Sequence, residues 1–132
     1  MALRRALVAG SWAAILSGAP STLHALATGR DSLEATLAAG SLLLPRETRR
    51  GRLVAAAVPV HLALSLGWAI VLDRARVRGS LPGAVAGLAI GVIDLGLGRE
   101  LFPRIRALPL APQLGDHIAY GAVAGRVLAR RA

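Results

Sequence analysis

The chain has no cysteine, which excludes disulfides, thiolate nucleophiles, cysteine-ligated zinc and iron–sulfur clusters. Aromatic residues make up only 3%, too few for a surface that stacks bases, so RNA and single-stranded DNA are poor partners. Lysine and asparagine are missing as well, so all 16 basic residues are arginine, against only 7 acids. Charged residues of either sign are scarce, at 17%. What remains is apolar: 55% hydrophobic residues and 15 glycines in 132 positions, with a mean hydropathy of +0.57. A single 13.6 kDa domain has little interior in which to hide that much apolar surface. Lipid contact accounts for it better.

The net charge of +9 would suggest nucleic acid in a soluble protein. Its placement argues otherwise, because the arginines fall in short clusters (Arg4 and Arg5; Arg46 to Arg52; Arg74 to Arg78; Arg99 to Arg106; Arg126 to Arg131) separated by uncharged stretches of membrane length. Arginine at a helix end reaches the interface cheaply and meets lipid phosphate there. The expected partner is therefore the bilayer and not nucleic acid.

Ala6 to Gly29 is 24 residues without a charge, long enough to cross at about 20 residues per span. Pro20, flanked by Gly, Ser and Thr, is expected to kink it. The same segment has a rival reading as a signal peptide, with Arg4 and Arg5 ahead of an apolar run and Ala25-Leu26-Ala27 as a cleavage site. Asp31-Ser32-Leu33-Glu34 resembles a capping box and opens a short segment ending before Pro45, which is brief for a crossing. Leu53 to Leu72 is a clear span, interrupted by a second kink candidate, Pro59, and with Trp68 placed as an interfacial aromatic. Leu81 to Gly98 is the next, with Pro82 at its entry. A least hydrophobic fourth runs from Leu114 to Leu128, after the turn-rich Leu108 to Gln113. The expectation is an all-α integral membrane bundle over residues 1–132, of about four transmembrane helices with a short extra helix after the first, multi-pass in a bacterial plasma membrane.

Topology does not follow from the arginine count. If Leu33 to Leu44 crosses, the arginines divide nine against seven; if it does not, eight against eight.

Small residues recur at every fourth position: Gly10, Ala14 and Gly18; Gly83, Gly87 and Gly91; Gly121 and Gly125. Such faces let helix backbones approach, a main source of association in lipid. Whether they serve one chain, a homo-oligomer or another membrane protein is open at this level.

The candidate polar site comprises Asp94, His61, His117 and Tyr120, ionisable or hydrogen-bonding groups within or beside apolar segments, where such groups are expensive and usually face the bundle. They could form a proton or ion path. Alternatively Asp94 pairs with a nearby arginine, Asp116 caps the last helix, and Tyr120 is interfacial. Asp73 with Arg76, and Glu100 with Arg104, have the spacing of weak helix-end ion pairs. His24 and the other histidines show no metal-ligand spacing, and no hydrolase, nucleotide-binding or metalloprotease motif is present, so no catalytic residue, metal or cofactor is expected.

The stretches SGAPSTLHALATGRDSLEATLAAG and DHIAYGAVAG resemble an uncharacterised actinobacterial family of small multi-spanning membrane proteins. The resemblance implies a four-helix membrane bundle, without an activity, cofactor or catalytic residue. The expected function is that of a non-enzymatic structural or accessory membrane component, with a proton or small-ion conduit through Asp94 and His61 as the alternative.

Overall fold

The structure, a computed structural model, describes residues 2–130. Among these it contains helices and no strands: α1 (Ala2–Leu16), α2 (Ala19–Thr28), α3 (Glu34–Gly40), α4 (Arg50–Arg74), α5 (Ser80–Leu101), α6 (Pro103–Arg106) and α7 (Leu110–Arg130). Three segments are long and apolar enough to cross a membrane, namely Leu3–Ala27, Arg50–Arg74 and Ser80–Leu101.

Pro20 does not kink a continuous helix. The chain breaks at Ser17 and Gly18, and Pro20 falls in the first turn of α2, where its missing N–H removes no helical bond. Gly29, at φ 68°, ends α2 in the left-handed conformation and lets the Arg30 N–H reach back to the Ala25 carbonyl. Pro59, by contrast, lies inside an uninterrupted α4 on an exposed surface.

The capping box is replaced by a different arrangement. Asp31 Oδ1 accepts the Leu33 N–H at 2.9 Å, whereas the Glu34 carboxylate turns to the Arg30 guanidinium. The helix that follows has seven residues, about 10 Å at 1.5 Å per residue, and does not cross. It is held against the start of α4, where a Cβ at Gly40 would lie 2.9 Å from Leu53 Cα and closer still to the Leu53 carbonyl. Arg50 pairs with Asp31, and Glu47 accepts from both Arg49 and Arg52. The connection from α2 to α4 thus stays at one end of the bundle.

These ion pairs hold the carboxyls of Asp31 and Glu47 well below the usual range, each to about 2, chiefly through the guanidinium hydrogen bonds of Arg50 and Arg49 respectively. Depressed carboxylates contribute stability above their unfolded values, near pH 4, and lose it as pH falls toward 2. In an NMR titration, Arg50→Gln is expected to raise the Asp31 midpoint toward 4 but short of it, because the Leu33 N–H still donates to the carboxylate, while Glu47 stays low. An unmoved Asp31 midpoint would show that the pairing is not what depresses it.

α7 lies at the centre and starts at Leu110, earlier than the turn-rich sequence suggests, because Pro112 occupies its first turn. It runs antiparallel to α5 and α1, and the core gathers Ala9, Ala13, Leu72, Ile90, Tyr120, Ala124 and Leu128 around it. Large apolar side chains point the other way: Ile15, Leu81, Val85, Leu97 and Leu101 are all more than 60% exposed. An aqueous protein would bury them; a lipid-facing surface is made of them.

The first end of the bundle joins the start of α1, the end of α4, the start of α5 and the end of α7. There the Gly79 N–H donates to the Gly125 carbonyl at 2.9 Å, and Asp73, almost fully buried, accepts from Arg5 Nη2 at 3.4 Å and from Arg78 Nη2 at 2.8 Å. The expected Asp73–Arg76 pair does not form. Arg76 instead occupies the left-handed position, φ 57°, that ends α4, with Val77 N–H returning to the Leu72 carbonyl.

Candidate functional site

Gly83, Gly87, Gly91, Gly121 and Gly125 form one seam between α5 and α7. A Cβ at Gly121 would lie 2.7 Å from Gly87 Cα and closer still to the Gly83 carbonyl; one at Gly87 would lie 3.0 Å from His117 C, and one at Gly91 2.9 Å from His117 Cβ. The backbones touch, so the glycine faces meet within one chain. Gly10 on α1 makes a similar approach to Ser65 and Ala69 of α4, whereas Gly18 faces open space.

That closeness positions His117 beside Asp94. The Asp94 carboxylate accepts the Trp68 indole N–H at 3.0 Å, and the same oxygen lies 3.6 Å from His117 Nε2. His117 Nδ1 is 2.8 Å from the Gln113 carbonyl. A carbonyl only accepts, so Nδ1 carries hydrogen, and Nε2 of the neutral ring would then turn a lone pair toward the carboxylate. At 3.6 Å the ring and the carboxylate are neighbours within ion-pair range but not hydrogen-bonded. Among the described residues Asp94 makes no arginine pair, and Trp68 lies half-buried against the core.

The remaining candidates separate. His61 lies on an exposed face of α4, its Nε2 2.9 Å from the Ala14 carbonyl of α1, and makes no hydrogen bond to Asp94. Tyr120 is buried within the bundle, and its hydroxyl donates to the Ser65 carbonyl. Asp116 does not cap its own helix. Its Oδ1 accepts the Ser21 N–H at 2.8 Å, one of the free first-turn amides of α2, where a carboxylate also complements the helix dipole. Along α7, Gln113, Asp116, His117 and Tyr120 thus form one stripe at helical spacing, each joined to a carbonyl, amide or side chain.

Trp68, Ser65, Gln113 and Ser21 had no mark in the sequence that set them apart as site residues. Concavities elsewhere include a cleft of about 250 Å³ lined by Arg30, Asp31, Glu34, Arg50 and Arg104, and a groove on the outer face of α1 beside Arg4 and Trp12. Neither includes Asp94. Among the described residues no group of three or more His, Asp or Glu side chains could hold a metal. No family model, curated protein or solved structure matches the chain.

Proposed function

We infer that the chain is a small integral membrane protein of a bacterial plasma membrane, in which α7 is a fourth membrane-embedded helix, and that it serves as a non-enzymatic structural or accessory component. The backbone contact of α5 with α7 carries this reading, because helices zipped through glycine leave no room between them for a substrate. Asp116 and Tyr120 of α7 are likewise hydrogen-bonded to neighbouring helices, as expected of structural hydrogen bonds in lipid. The chain should resist alkaline-carbonate extraction from membranes and co-purify in mild detergent with a membrane protein at fixed stoichiometry. Recovery in the carbonate wash would overturn the membrane reading; a lone monomer would overturn the accessory one.

The second reading is a proton carrier, supported by the placement of the two ionisable side chains of Asp94 and His117 beside each other between α5 and α7. It uses His117 where the sequence suggested His61. The two readings diverge in liposomes loaded with a pH-sensitive dye. A structural bundle leaves vesicles as proton-tight as protein-free ones, and Asp94→Asn changes nothing; a carrier gives a pH-dependent flux that Asp94→Asn abolishes while near-ultraviolet circular dichroism is unchanged.

A further inference from the structure

The two ends of the bundle carry similar numbers of arginines but use them differently. At the second end, where α2 and α5 finish and α4 starts, Arg30, Arg49, Arg50 and Arg52 pair with Asp31, Glu34 and Glu47. Arg99 donates to the Leu108 carbonyl, and Arg106 to the carbonyls of Arg99 and Glu100. The expected Glu100–Arg104 pair does not form, so Arg46 and Arg104 alone are left there without a protein acceptor among the described residues.

At the first end the balance is reversed. Arg5 and Arg78 close on Asp73, while Arg4, Arg74, Arg76, Arg126 and Arg130, all exposed, have no acceptor among the described residues. They come from the start of α1, the end of α4 and the end of α7, so they ring one rim of the bundle. Arg131 lies outside the described residues. Arg76 holds its place at a left-handed φ, where an arginine is less stable than a glycine. Five unopposed guanidiniums in one rim need anions, and each is a bidentate phosphate ligand.

We propose that this first end is a binding surface for anionic phospholipid headgroups, and that it therefore faces the cytoplasmic leaflet, with the start of α1, the α4–α5 turn and the end of α7 inside. The proposal rests on the membrane reading above. Arginine near an anionic leaflet gains appreciably from its surface potential, and the gain is greatest where no carboxylate already neutralises the guanidinium.

The test uses the full chain reconstituted in phosphatidylcholine vesicles containing trace spin-labelled phosphatidylglycerol or phosphatidylcholine. Wild type should hold the anionic label at least about threefold more strongly than the neutral one, with the preference shrinking as salt rises. Replacing Arg4, Arg74, Arg76, Arg126 and Arg130 together by Gln should bring the ratio near unity while the total motionally restricted lipid stays constant, which reports an intact bundle. The control Arg46→Gln/Arg104→Gln should keep the preference. Equal loss in both variants, or a ratio near unity in wild type, overturns the proposal; absence of any restricted lipid overturns the membrane reading instead. Because the chain has no cysteine, Ser80→Cys and Thr48→Cys give clean topology reporters. An impermeant maleimide added to intact cells should label Thr48→Cys alone, and labelling of Ser80→Cys alone would reverse the orientation.

Discussion

Gly121→Ala should destabilise the bundle by about 3 kcal/mol, the upper part of the range for overpacking, although alanine is the better helix former. The added methyl would meet the Gly87 backbone at 2.7 Å and the Gly83 carbonyl closer still, and backbone cannot rotate aside as a side chain can. α5 and α7 must therefore part along the seam. That would also separate His117 from Asp94, so the fluorescence of Trp68, which donates to Asp94, should change with it. Gly96→Ala on the same α5 is the control: a Cβ there meets nothing within 4 Å, and the exchange should be neutral or stabilising by up to about 1 kcal/mol. Denaturation in mixed micelles, followed by tryptophan fluorescence, measures both. Equal effects from the two would mean that the glycines matter through propensity and not through contact.

Asp73→Ala should have a comparable effect, about 3 kcal/mol, since it removes the buried carboxylate that the Arg5 and Arg78 guanidiniums share and that joins the start of α1 to the end of α4. The Asp73 side chain is 6% exposed while those of Arg5 and Arg78 are 25% exposed, so the arginines recover part of their hydration once it is gone. For that reason Arg5→Gln or Arg78→Gln alone should cost less, about 1 kcal/mol each, because the remaining guanidinium still compensates the buried charge. The same titration orders the three variants. If Asp73→Ala proved no worse than either arginine variant, the pairing would be a surface contact only.

The features legible in advance were those that depend on one segment at a time. Runs such as Leu53 to Leu72 show helical, membrane-length character without reference to any neighbour, and Gly83-Gly87-Gly91 shows a face fit for close approach. Boundaries were less legible. Pro20 and Pro112 looked like interruptions because a proline disrupts a helix only in its interior, and whether it falls in a first turn depends on where the helix starts. Asp31 to Glu34 looked like a capping box, but Glu34 has a stronger partner in Arg30 than a backbone amide offers. The polar site was half visible. Asp94 and His117 stand out in the sequence as ionisable groups at membrane depth, whereas their partners Trp68 and Gln113 do not, and nothing in the sequence separates His61 from Asp94, although the two lie on different faces.

Composition and the spacing of charge determined by themselves that the chain is helical, lacks cysteine chemistry, and has segments long and apolar enough to cross a membrane. These are properties of local propensity and hydrophobic length, which need no partner to be expressed. Tertiary structure alone decided that the glycine seam closes within the chain, that Asp116 caps a helix almost a hundred positions away, and that two ends with nearly equal arginine counts differ in how many are neutralised. Each of these depends on which helices lie side by side, and residues distant in the chain become neighbours only when the bundle is packed.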